Sequence, residues 1–172
     1  MVPAGWLERM RADHERVRER LAPLASQHGE GDPRPDPASV QEFVDFLAQQ
    51  FAHHMAAEDD VLFPIVADTL PATRASLLPL QDEHEELRTM LQALRELLAA
   101  PVGDGRDEQI GVQMADLAEL LRIHMQKEER LVFQVAERVL RPGELERLVS
   151  ERVAGLPASR SSTGPTHEGN SR

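Results

Sequence analysis

Hydrophobic residues recur along this chain at steps of three and four, the spacing that collects them on one face of a helix. The first stripe is Leu7, Met10, His14, Val17, Leu21 and Leu24, and it predicts a helix from about Pro3 to Ser26. Pro3 suits a first turn, which has no intrahelical bond to lose, and Pro23 predicts a bend or an end nearby. Residues His28 to Pro37 hold three prolines and two glycines and read as an exposed loop. The second stripe is Val40, Phe43 or Val44, Leu47, Phe51, His54, Glu58, Val61 or Leu62, and Ile65. It predicts a helix from about Ala38 to Leu70, kinked or ended in its main span by Pro64. Pro71 and Thr73 mark a junction. Leu77, Leu80, His84, Leu87, Leu91, Leu94 and Leu98 predict a third helix from about Thr73 to Ala100, followed by a turn from Pro101 to Asp107. Ile110, Met114, Leu117, Leu121, His124, Glu128, Leu131 and Val135 predict a fourth from about Glu108 to Leu140.

Arg141-Pro142-Gly143 breaks the pattern. A short fifth helix from Gly143 to Val153, with Leu145, Leu148, Val149 and Val153 as its apolar residues, is expected to cap the assembly. Residues 156–172 are rich in Ser, Gly, Pro, Thr and charge and are expected to be disordered. One domain over residues 1–155 and a disordered tail over 156–172 follow.

The stripes repeat. His54-Met55-Ala56-Ala57-Glu58 returns as His124-Met125-Gln126-Lys127-Glu128, and His14-Glu15-Arg16-Val17-Arg18 as His84-Glu85-Glu86-Leu87-Arg88, both at an offset of 70 residues. Leu7, Met10, Val17, Leu21 and Leu24 map onto Leu77, Leu80, Leu87, Leu91 and Leu94 by the same shift. An internal repeat of two helices per unit, joined by short connections, predicts an all-α, up-down-up-down antiparallel four-helix bundle built from two helical hairpins. Neither hairpin buries its stripe alone.

Composition narrows the chemistry. The chain has no Cys, which excludes a disulfide, a thiolate ligand, an iron–sulfur cluster and a Cys nucleophile. It has no Tyr, which excludes a tyrosyl radical or a tyrosinate ligand. A net charge of -11 opposes binding to a phosphate backbone, so no nucleic-acid partner is expected. No apolar run approaches the ~20 residues of a membrane helix, and no basic segment followed by an apolar run opens the chain. A soluble cytoplasmic protein, monomeric or weakly homo-oligomeric, is expected.

Histidines and glutamates sit on the apolar stripes, where bare charge is costly. His54 and Glu58, like His124 and Glu128, are four apart and share a helix face, roughly 5–6 Å apart at Cβ. His14 and His84 come from the other two helices. Four imidazoles and two carboxylates therefore converge on the bundle axis. A sulfur-free set of this kind suits iron, manganese or zinc. Six ligands from two related halves divide into two histidines per metal and two bridging carboxylates. That leaves positions open for a bridging oxygen species and small ligands, as a reactive centre requires.

On these residues the chain resembles the hemerythrin-like, or HHE cation-binding, domains. The resemblance runs through His14, His54-x-x-x-Glu58 with Val61-Leu62-Phe63-Pro64, His84, and His124-x-x-x-Glu128, and covers about residues 5–140. It implies two iron ions in a non-haem, oxo- or hydroxo-bridged di-iron centre. His14 and His54 would serve one iron and His84 and His124 the other, with Glu58 and Glu128 bridging. The oxygen-carrying members have a further histidine four residues after the one matching His84, where this chain has Arg88. A guanidinium has no lone pair to give. The departure puts peroxide-decomposing, catalase-like activity, nitric oxide chemistry or redox sensing on a footing with oxygen binding. A non-enzymatic iron or redox sensor or an iron store is the alternative, and a structural bundle with zinc or no metal the third.

Of the neighbours, Arg18 and Arg88 read either as orienting a bridging glutamate or as solvated, the latter preferred. Asp59, Asp60 and Glu129 read as solvated faces, with a role in iron uptake as the lesser option. Asp13 and Glu83 are candidates to accept a hydrogen bond from a ligand histidine. Met55 and Met125 read as packing residues, with lining a ligand channel the lesser option. His53, His28 and His167 read as non-ligands.

Overall fold

In a computed structural model the chain is described at residues 5–25, 36–141 and 143–156, and all its regular structure there is helical. Five helical segments follow one another. α1 is Trp6–Ala25. α2 spans residues 37–69, α-helical at Pro37–Phe46, Ala52–Ala57 and Phe63–Thr69 with wider π turns at Leu47–Phe51 and Glu58–Leu62. A 3-10 turn at Pro71–Thr73 leads into α3, Arg74–Ala99. α4 spans residues 106–139, with a π turn at Glu129–Phe133 between Arg106–Glu128 and Gln134–Val139. α5 is Glu144–Gly155. No helix among the described residues is long and apolar enough to cross a membrane.

Local chemistry sets the boundaries. The Asp36 side chain accepts the Ser39 N–H at 3.1 Å and Pro37 occupies the first turn, so α2 begins where a loop was expected to end. Gly105 and Gly143 precede α4 and α5 with φ of 81° and 80°, a conformation glycine adopts without strain. Arg106 crosses back to cap α3: its Nε donates to the Leu97 carbonyl at 3.0 Å and a second guanidinium nitrogen to Leu98. Pro23 and Pro79 are accommodated inside α1 and α3.

The π turns have a sequence cause. Met55 follows Phe51 and Leu47 at steps of four, Leu62 and Val66 follow His54 and Glu58 at steps of four, and Val132, Ala136 and Leu140 follow His124 and Glu128 likewise; all are buried. Unbroken steps of four drift around a helix of 3.6 residues per turn. A π turn absorbs the extra residue and returns the stripe to one face. It also corrects two expectations. Leu131 is 49% exposed and Val135 only half-buried, while Val132 and Ala136 are buried in their place. α2 runs on past Pro64 to Thr69, close to the expected end at Leu70, with Pro64 in the first turn after the π turn.

The core divides into two apolar clusters. One contains Val17, Leu21, Phe43, Leu47, Phe51, Met55, Leu87, Leu91, Met114 and Met125. The other contains Leu7, Met10, Val61, Phe63, Leu77, Leu80, Val132, Phe133, and Leu145 and Val149 of α5. On α1 and α3 the boundary falls at His14 and His84, and on α2 and α4 at Glu58 and Glu128. A polar layer thus lies between two apolar blocks. α5 buries Leu145 and Val149 but leaves Val153 53% exposed, so its packed face is shorter than the sequence pattern suggests. The expected starts and ends at Pro3 and Ser26, most of the loop after His28, and the tail beyond Leu156 lie outside the described residues.

Candidate metal centre

All six side chains singled out by the repeat meet in that polar layer. His14, His84, His124, Glu58 and Glu128 are fully buried and His54 is 2% exposed. They form two sets, His14, His54, Glu58 and Glu128, and Glu58, His84, His124 and Glu128, whose ligand atoms lie within 4.8 Å of one another in each set. Nε2 of His14 and Nε2 of His54 are 2.9 Å apart. Glu58 reaches His54 at 3.3 Å with Oε1 and His84 at 3.4 Å with Oε2. Glu128 reaches His14 at 3.2 Å with Oε2, and His84 and His124 at 3.1 and 3.0 Å with Oε1.

Both oxygens of Glu58, Oε2 of Glu128 and Nε2 of His124 are buried without a hydrogen-bond partner, although ring nitrogens stand close to them. Such groups are costly to leave unpaired in an apolar core. A cation at each set would remove that cost, and nitrogen and oxygen donors without sulfur fit iron, manganese or zinc.

Each histidine also has an outer carboxylate. Nδ1 of His14 donates to Glu129 at 3.0 Å, of His54 to Asp13 at 3.2 Å, of His84 to Asp59 at 2.8 Å and of His124 to Glu83 at 3.0 Å. An ionised carboxylate only accepts, so the proton sits on Nδ1 and the Nε2 side faces the centre. The carboxylates are themselves held: Glu129 by Arg18 at 2.6 Å, Asp59 by Arg88 at 2.9 Å, Asp13 by Arg16 and Glu83 by Lys127. Rings fix the imidazole planes from the sides. Phe133 stacks on His14 at 5.3 Å, Phe51 on His54 at 4.9 Å and Phe63 on His84 at 5.6 Å.

The field of these anions dominates the titration of the metal-free site. Burial alone would lower the histidines, but the Glu58 charge and the Asp13 bond push His54 up to about 9. Against the same burial, Asp59 and Glu128 push His84 up to about 11. His14 is also raised, its contact with Glu128 and its bond to Glu129 outweighing burial. Glu129 is brought down to about 2, by His14 first and then, against its partial burial, by Arg18. Glu128 is held well below the carboxylate range: its burial opposes this, and the three histidines around it prevail.

Two readings of the sequence change here. Asp59 and Glu129 are not merely solvated: each leaves only part of its side chain exposed, 21% and 30%, and binds a histidine. Arg18 and Arg88, half-exposed, hold these outer carboxylates rather than the glutamates of the centre. Asp13 and Glu83 accept the expected bonds, from His54 and His124 across the helix interface. His53 is exposed and donates to the Gln49 carbonyl, and Met55 and Met125 are buried in the core. His28 and His167 lie outside the described residues.

The family model described as hemerythrin HHE cation binding domain matches residues 7–136. None of the curated proteins and none of the solved structures matches the chain.

Proposed function

The chain belongs to the hemerythrin HHE cation-binding domain family, and from that premise we propose that it is a non-haem di-iron protein. His14 and His54 would hold one iron and His84 and His124 the other, with Glu58 and Glu128 shared between them. One observation carries this reading: the two glutamates belong to both ligand sets, and each histidine to one. Within the domain, α1 to α4 form an up-down-up-down bundle of two hairpins, with α5 as its cap. The short connections after α2 and α3, and ligands drawn from four helices, support that arrangement.

Bound there, a pair of irons supplies one-electron redox chemistry and coordination positions open to oxygen, nitric oxide or peroxide. The chain does the rest. Four Nδ1-to-carboxylate bonds hold the imidazoles in one tautomer with Nε2 inward, and the two apolar clusters keep water from the layer. Iron-loaded protein challenged with peroxide or nitric oxide tests the proposal. Consumption of many equivalents marks an enzyme. No response to oxygen, peroxide or nitric oxide overturns the reading.

A second reading, a redox or occupancy sensor, is favoured by one contact. Arg152 of α5 donates to the carbonyl of Asp60, two residues from Glu58, at 2.8 Å. A change at Glu58 is thereby placed next to the cap. A single stoichiometric response with altered hydrogen exchange in α5 would mark the sensor.

A further inference from the structure

Phe63 and Phe133 stand 70 positions apart in the chain and stack on His84 and His14. What lies outside the two rings is different. Arg11 sits over Phe133, 5.6 Å from its centroid, and pairs with Glu137 at 2.6 Å. Beside them Glu8 accepts the Gly5 N–H at 2.9 Å. Seventy positions away from Arg11, Glu137 and Glu8 stand Gln81, Ala67 and Leu78, so three charges are replaced by neutral residues. These three, with Phe63, Pro64 and Leu77, line a groove of about 260 Å³. Leu78 is 60% exposed there, while Phe63 is only 2% exposed and separates the groove from the His84 ring. Arg74 also lines the groove, its charge paired with Asp68 at 3.4 Å.

Other approaches carry charge, including a larger hollow of about 480 Å³ on the Phe133 side that Glu8, Arg11 and Glu137 line. Among the described residues, Arg18–Glu129 stands outside His14, Arg16–Asp13 outside His54, Arg88–Asp59 outside Nδ1 of His84, and Lys127–Glu83 outside His124. A hollow beside Phe51, which stacks on His54, holds only about 10 Å³ and is lined by Asp13 and Arg16. That is at most room for a water.

The geometry points to the Phe63 groove as the route by which an uncharged diatomic gas reaches the centre, arriving at the His84 and His124 half. This deepens the di-iron reading and rests on it for the destination. A gas such as nitric oxide or oxygen has little hydration to shed in an apolar passage, whereas peroxide would leave its hydrogen bonds unmade there. Thermal displacement of one ring then suffices to admit it, with no ion pair broken.

The test transplants the closed face onto the open one. In the full-length ferrous-loaded protein, Ala67→Glu with Gln81→Arg should slow nitric oxide association about tenfold. Dissociation should slow equally, leaving affinity and iron content unchanged, since a barrier on the path alters both directions alike. Zinc-loaded wild-type protein gives a readout that needs no iron. Dissolved oxygen should relax the ring protons of Phe63 and His84 more than those of Phe133 and His14. Unchanged association in an iron-replete variant, or equal relaxation at the two faces, overturns the route. Wild-type protein that takes up no iron would instead overturn the di-iron reading, and the relaxation contrast would still decide the route.

Discussion

Asp59 and His84 are joined by a 2.8 Å hydrogen bond between α2 and α3, although Asp59 directly follows a residue whose side chain points into the same centre. Neighbours on a regular α-helix diverge by about 100°. The π turn at Glu58–Leu62 begins at this pair, and the corresponding pair Glu128 and Glu129 stands at the π turn Glu129–Phe133. One residue reaches the centre and its neighbour supports a histidine of another helix, as Asp13 beside His14 and Glu83 beside His84 also do on regular α-helix.

If Asp59 and Glu129 fix imidazole orientation, Asp59→Asn and Glu129→Gln should each weaken metal binding about 10–100-fold. The wild-type fold should be retained. Competition titration against a chelator of known affinity measures this. Unchanged affinity in both variants would make the two bonds incidental.

Metal uptake should release protons and tighten as pH rises. In the metal-free chain His54 and His84 are raised from 6.5 to about 9 and about 11. They carry protons at neutral pH that an ion must displace. The same shifts fix the sign of stability without metal. A raised histidine contributes fully below its unfolded value of 6.5, and that contribution is lost as pH climbs through the folded value. The chelated protein should therefore lose Tm between about pH 6.5 and 11, and bound metal should flatten the loss. Thermal scans across that range, with and without metal, check both statements. Metal-free stability that rises across it would contradict them.

Arg152 anchors the cap. Pro64 has no N–H to return to the Asp60 carbonyl, and Nε of Arg152 takes its place at 2.8 Å. Removing that bond by Arg152→Leu should cost about 1 kcal/mol. That corresponds to a fall of roughly 2–4 °C in Tm for a chain of this size. Amide exchange in Glu144–Gly155 should accelerate with iron content unchanged. Unaltered exchange in α5 would show that Leu145 and Val149 hold the cap alone.

The phase shift at the α4 π turn is testable by stability. Leu131→Lys should fall within about 0.5 kcal/mol of wild type, since the side chain is half in solvent. Val132→Ala should cost about 2 kcal/mol, because its side chain is fully buried beside the centre. Denaturant unfolding with metal present compares them. The reverse order would mean that α4 continues as a regular helix through Glu129.

The sequence carried the helices and the six central residues, and the reason is specific. Histidines and glutamates on apolar stripes violate the hydrophobic pattern, and their recurrence 70 positions on makes accident a poor explanation. The outer shell was less legible. Asp59 and Glu129 directly follow a residue of the centre, at the π turns, and only packing against α3 and α1 brings each to a histidine. A signal for those turns was present in the unbroken steps of four from His54 to Val66 and from His124 to Leu140. Leu131 and Val135 were placed on the packed face for want of it. Arg18 and Arg88 have local partners in Glu15 and Glu85, and nothing local points to the outer carboxylates they hold, which lie more than 25 residues away on other helices. The unequal surfaces over Phe63 and Phe133 were visible as departures from the repeat, but only packing shows that Arg11, paired with Glu137, lies over one ring.

The most direct test of the centre is the iron count of the full-length protein together with its Mössbauer spectrum after aerobic loading. The proposal predicts two irons per chain as a magnetically coupled ferric pair, reduced to one or none by Glu58→Ala or Glu128→Ala. A single uncoupled high-spin ferric ion, or two irons retained when both glutamates are removed, would contradict it.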